Sequence, residues 1–135
     1  MIQVSVKGTS ASEIKGNLSN ISKDIMDATM DQLHTMARDI IAQSQIEVPK
    51  DTTALVNSAF IVEHDDSLIM GYGGPANKIN PKTGVFTEDY ALIVHEDLNM
   101  NHYNGGKAKF LEEPFLEITS DLDSNLIRPL QSLFK

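Results

Sequence analysis

Ala59-Phe60-Ile61-Val62-Glu63-His64-Asp65-Asp66-Ser67-Leu68-Ile69-Met70-Gly71-Tyr72 holds two β-forming arms on either side of a polar turn. Phe60 to Val62 are aromatic or β-branched, and Leu68 to Met70 are apolar. His64-Asp65-Asp66-Ser67 between them is turn chemistry, so the stretch predicts an antiparallel hairpin over 59–72. The runs flanking it have helical periods, so the hairpin decides for an α+β domain rather than a helical bundle.

Upstream, Ile14, Leu18, Ile21, Ile25, Leu33, Met36, Ile40 and Ile41 recur at three- and four-residue steps. Ser10 or Ser12 can cap this run, and Glu13 suits the positive end of the helix dipole. No proline intervenes before Pro49, which biases Val48 out of the helical region. One helix is therefore expected over 11–48, roughly 50 Å long at ~1.5 Å per residue. That exceeds the diameter of a compact domain of this size, so either the helix kinks or part of it projects and packs on something else, a first hint of an oligomer. Before it, Ile2, Val4 and Val6 alternate with Gln3, Ser5 and Lys7, as in a half-buried strand.

Between helix and hairpin, Asp51-Thr52-Thr53 reads as an N-cap for a short helix through Leu55 and Val56. Downstream, residues 73–89 are rich in glycine and proline and predict a long flexible loop. Tyr90-Ala-Leu-Ile-Val-His95 is a short apolar run whose period fits a strand or a helix equally. Phe115, Ile118, Leu122, Leu126, Leu130, Leu133 and Phe134 predict a C-terminal helix over 114–134. Pro129 falls inside that stripe and should kink or split it. The expected architecture is one domain over 1–135, its long N-terminal helix and C-terminal helix packed on a small antiparallel β-sheet.

Composition removes several function classes. The 135 residues carry 11 Lys and Arg against 19 Asp and Glu, a net charge of −8. Such a chain is poorly suited to neutralising DNA phosphates or to docking on anionic membranes. It contains no cysteine, which excludes disulfides, thiolate metal sites and cysteine nucleophiles. Neither a signal-peptide pattern nor a run of about 18 apolar residues is present, so a soluble protein kept inside a cell is expected.

Signals for catalysis are weak. Gly73-Gly74-Pro75 and Gly105-Gly106-Lys107 do not match a phosphate loop, and no serine sits in a G-x-S-x-G elbow. His95, Glu96 and His102 invite a metal-dependent hydrolase reading, but their spacing is not that of a zinc-protease helix. Paired carboxylates such as Glu112-Glu113 read as solvated surface charge. The expectation is a non-enzyme without cofactor, catalytic residue or metal.

Three blocks together resemble a known family. Val48-Pro49-Lys50-Asp51-Thr52-Thr53-Ala54-Leu55-Val56-Asn57-Ser58 is similar to its P-x-D-T-G-x-L-x-x-S block. Tyr90-Ala91-Leu92-Ile93-Val94-His95-Glu96 is similar to its Y-A-x-x-x-H/E-x block. Gly105-Gly106-Lys107-Ala108-Lys109-Phe110-Leu111-Glu112-Glu113-Pro114 is similar to the G-x-x-K-F-L-x-x-P block before the last helix. In this order they resemble the tail-completion or head–tail joining proteins of long-tailed double-stranded DNA phages and prophages, often labelled minor capsid or minor tail proteins. Thr53 stands where that family has glycine, although threonine takes positive φ only at a cost.

The resemblance implies a structural protein of the virion, assembled in the bacterial cytoplasm. It would form a homo-oligomeric ring at the neck, between the head connector or adaptor and the tail terminator or tail tube. A tail terminator or minor capsid component of the same fold is the alternative position. DNA would pass through such an acidic ring without specific binding. Asp51, Thr52, Leu55, Tyr90, His95, Glu96, Lys107, Phe110 and Leu111 are the motif residues expected to shape interfaces or the turns that support them. For Tyr90, Phe110 and Leu111, packing within the chain is the competing expectation. For His95 and Glu96 it is ordinary surface exposure, and for Asp51 and Thr52 a helix cap.

Overall fold

A computed structural model describes residues 10–50, 53–74, 84, 86–99, 102 and 105–133. The strand expected at Ile2–Val6, the caps expected at Asp51 and Thr52, and most of the 73–89 loop lie outside the described residues. The chain is mixed helix and sheet, with a long N-terminal helix, a two-stranded antiparallel sheet and C-terminal helices. It divides into two compact units, Met1–Met36 with Asp121–Lys135, and Ala37–Ser120.

Helix α1 spans Ala11–Glu47 and so contributes to both units. Ser10 is its cap: its Oγ accepts the Glu13 N–H at 3.2 Å and its carbonyl accepts the Ile14 N–H. The helix ends where Pro49 follows Val48, whose N–H still reaches the Ser44 carbonyl at 2.8 Å.

In the unit Ala37–Ser120, the last turns of α1 bury Ala37, Ile40, Ile41 and Ser44. A single 3-10 turn, Val56–Ser58, leads into β1 (Ala59–His64). Thr53 ahead of it takes φ of 60°, a left-handed conformation that threonine adopts only at a cost. β1 pairs with β2 (Ser67–Tyr72) from Ala59 opposite Tyr72 to His64 opposite Ser67. The two-residue turn places Asp65 at φ 52°, a region aspartate tolerates better than most residues.

Two strands alone are marginal in water, and this pair is anchored at one end. Ser44 Oγ lies 2.8 Å from Tyr72 Oη, both buried, and the Gly73 N–H donates to Ser58. Burial raises the Tyr72 hydroxyl pKa, and the hydrogen bond with Ser44 offsets part of that rise.

Helix α2 (Thr87–Glu96) resolves the ambiguous apolar run. Its buried residues Thr87, Ala91 and Val94 follow the three- and four-residue helical step, and Glu88 and Asp89 favour the first turn. The loop expected to last through residue 89 therefore ends before Thr87. Helix α3 (Glu112–Thr119) begins two residues before Pro114, which the first turn accommodates because a residue there needs no N–H for a helical partner. Val48, Leu55, Tyr72, Ala91, Val94 and Phe110 form the core of this unit, with Val56, Ala59, Tyr90 and Leu111 packed against it.

The helix expected over 114–134 is not continuous. After α3 the described chain of the other unit forms a π-helical turn, Asp123–Ile127, and then α4, Arg128–Gln131. Pro129 is the physical reason for the widened turn, since it has no N–H for the carbonyl four residues back. The backbone instead widens, and the Arg128 N–H reaches the carbonyl of Asp123, five residues earlier.

Candidate functional site

The richest polar cluster among the described residues lies where α2 ends and the turn before α3 crosses it. Gly106 makes that crossing possible. At φ of 97°, its α-carbon faces Pro49 so closely that an added Cβ would lie 2.6 Å from the proline Cα. The Lys107 N–H then bonds the Glu47 carbonyl at 2.9 Å, and the Lys109 N–H bonds the His95 carbonyl at 2.8 Å. Lys109 itself takes φ of 58°, which turns the chain and drives Phe110 into the core.

Phe110 is 1% exposed and meets two rings edge-on, Tyr72 at 5.3 Å and His95 at 5.0 Å between centroids. His95 is thus packed against Phe110 while its nitrogens serve the turn. Nε2 accepts the Glu112 N–H at 3.2 Å, which leaves Nδ1 to donate to Glu96 Oε1 at 2.7 Å. The other Glu96 oxygen accepts from Lys109 Nζ at 2.6 Å, and Glu112 Oε2 lies 2.9 Å from the same ammonium.

Electrostatics follow from this geometry. The Lys109 hydrogen bond, then that of His95, hold the Glu96 carboxyl below its ordinary range. Glu96 and Glu112 in turn raise the Lys109 ammonium. Lys107 is exposed and pairs with Glu113 and, at 3.8 Å, with Glu47; the Glu113 hydrogen bond is the main cause of its raised pKa.

His95, Glu96 and Glu112 offer ligand atoms within 4.8 Å of one another, the spacing a metal ion would need. The Lys109 ammonium already holds the position between the two carboxylates. An ion there would displace it and would compete with the Glu112 N–H for His95 Nε2. Glu112, not His102, completes the group with His95 and Glu96.

Beside this cluster lies a largely apolar recess of about 430 Å³, lined by Leu68, Ile69 and Met70 of β2 and by His95, Leu111, Glu112 and Phe115. A second recess of about 250 Å³ shares His95 and Leu111 and includes Leu92, which is 66% exposed. Its walls suit the apolar side chains of a macromolecule better than a polar substrate.

The motif residues fall into three groups. Leu55 and Phe110 are buried core, and Tyr90 and Leu111 pack against that core. His95, Glu96 and Lys107 build the ion-paired turn. Asp51 and Thr52 lie outside the described residues. Sequence reasoning missed Ser44, Tyr72, Lys109 and Glu112 as participants. Lys109 and Glu112 stand within the quoted third block, whereas nothing in the sequence links Ser44 to Tyr72. No protein-family model, curated protein or solved structure matches this chain.

Proposed function

We propose that this chain is a non-enzymatic structural protein of the head–tail junction of a long-tailed double-stranded DNA phage. It forms a ring between the head connector and the tail tube, and its place is the virion neck. One observation supports the reading: the three sequence blocks that resemble the joining family each contribute side chains to one buried cluster. Val48 and Leu55 come from the first block, Ala91 and Val94 from the second and Phe110 from the third.

Two properties fit the role. The apolar recesses beside His95 and the exposed Leu92, Ile93 and Leu116 offer contact surface, and a ring needs two different patches per subunit. A net charge of −8 per chain keeps the assembled object electronegative, so DNA slides past it without adhering. No helix among the described residues is long and apolar enough to cross a membrane.

The test is genetic and morphological. Particles made without this chain should accumulate as full heads and separate tails under the electron microscope, and purified chain added back should join them. Normal joined virions in its absence would overturn the reading.

A further inference from the structure

Among the described residues the sheet has two strands, so the side of β2 away from β1 has no strand beside it. The recess of about 430 Å³ takes Leu68, Ile69 and Met70 from β2 and nothing from β1, so it opens along that outer side. Register shows which main-chain groups face it. The Gly73 N–H bonds the Ser58 carbonyl at 3.1 Å, and this pair continues the register of the two strands by one step. Hydrogen-bonded pairs alternate along an antiparallel ladder, so Phe60–Gly71, Val62–Ile69 and His64–Ser67 are the bonded ones. Leu68 and Met70 therefore turn their N–H and C=O groups away from β1. Their side chains are half-buried on the sheet face that holds Tyr72, whereas Ile69 points to the other face and is 49% exposed. β2 carries neither a charged residue nor a proline, the devices that keep an open edge from pairing.

Edge and recess together select their occupant. An extended backbone offers N–H and C=O groups at the two-residue pitch of Leu68 and Met70. Its residues opposite those two send their side chains into the recess, beside Leu111 and Phe115, and the residues between face water. The fitting occupant is a strand that is apolar at every second position and polar between. Outside the hairpin the sequence holds such a run in Ile2-Gln3-Val4-Ser5-Val6-Lys7, which lies outside the described residues.

We propose that residues 2–7 of a neighbouring copy add to β2 as a third strand, antiparallel to it. With Val4 opposite Met70, Val6 falls opposite Leu68 and Ile2 opposite Tyr72, so the three apolar side chains share the recess face. Lys7, the one charged residue of the run, falls opposite Ser67 and next to Asp66. The inference rests on the ring reading. Strand and edge are two different patches, so each copy gives one and receives one, as a head-to-tail ring requires.

Residue-resolved hydrogen exchange of the full chain, from micromolar to millimolar concentration, tests it. The Ile69 and Gly71 amides, bonded to β1, should be protected at every concentration and so report the folded hairpin. The Leu68 and Met70 amides should exchange freely when dilute and about tenfold more slowly when concentrated. Val4→Asp should remove that added protection and leave Ile69 and Gly71 unchanged. Gln3→Asp, on the face turned to water, should retain it. A synthetic peptide of residues 1–9, added to the Val4→Asp chain, should restore it. Leu68 and Met70 exposed at every concentration, protected independently of concentration, or protected in spite of Val4→Asp would each overturn the proposal. None of these results bears on the joining of heads to tails, so the neck assignment fails only by its own test.

Discussion

Gln32 Nε2 donates a 2.6 Å hydrogen bond to the main-chain carbonyl of Asn125, the carbonyl that Pro129 cannot bond because it has no N–H. A side chain from α1 thus serves the backbone at the point where the C-terminal helix would otherwise lose a rung, and both residues belong to one compact unit. Gln32→Ala should cost about 1 kcal/mol in urea unfolding, the usual net value of one hydrogen bond. In a Pro129→Ala background, where the backbone can supply its own donor, the same change should cost less. Equal costs in the two backgrounds would separate the proline from the glutamine.

Thr53 holds φ of 60°, where a β-branched side chain crowds its own backbone. Thr53→Gly should therefore stabilise the chain by about 1 kcal/mol, against the general trend that glycine destabilises. A lower urea midpoint for the variant would count against a strained turn.

Gly105 and Gly106 make an internal control. Both have positive φ, but a Cβ at Gly105 meets nothing within 4 Å, whereas one at Gly106 meets the Pro49 backbone at 2.6 Å. Gly105→Ala should cost about 1 kcal/mol from the backbone alone. Gly106→Ala should cost at least twice that, because Pro49 is backbone and cannot swing aside. Thermal unfolding of the pair measures the difference.

Phe110 is the largest fully buried side chain among the described residues and touches both Tyr72 and His95. Phe110→Ala should cost about 3–5 kcal/mol, a large share of the roughly 5–15 kcal/mol that holds a domain together. Phe110→Leu should cost far less. It should also release the His95 ring, seen as altered imidazole NMR shifts relative to the wild-type chain.

The Glu96–Lys109 pair predicts the pH limits of stability. Glu96 titrates below its ordinary value near 4.5, so its contribution is present above that pH and is lost as acid takes the pH through its lowered value. Lys109 titrates above 10.5, so its contribution is present below that pH and is lost as base takes the pH through its raised value. The urea midpoint should hold level between those limits as far as this pair is concerned. Lys109→Gln should flatten the acid limb, and an unchanged limb would show that the pair does not govern it.

Much of this protein was legible in the sequence because it is local. Helical period and the Pro49 stop define α1, β-forming arms around Asp65-Asp66 define the hairpin, and Pro129 announces a break in the last helix. These signals act over three or four residues, the range of backbone hydrogen bonds and turn chemistry. Tertiary structure alone decided that Tyr90 to His95 is helical, because burial of Ala91 and Val94 against the core settles a period that fits two states. It also decided that Glu112 rather than His102 joins His95 and Glu96, and that Lys109 lies between the carboxylates. Ser44 with Tyr72 and Gln32 with Asn125 are 28 and 93 residues apart, and only packing brings them within hydrogen-bond reach. Side chains at such distances along the chain leave no periodic trace, since their meeting depends on how the elements pack and not on the residues beside them.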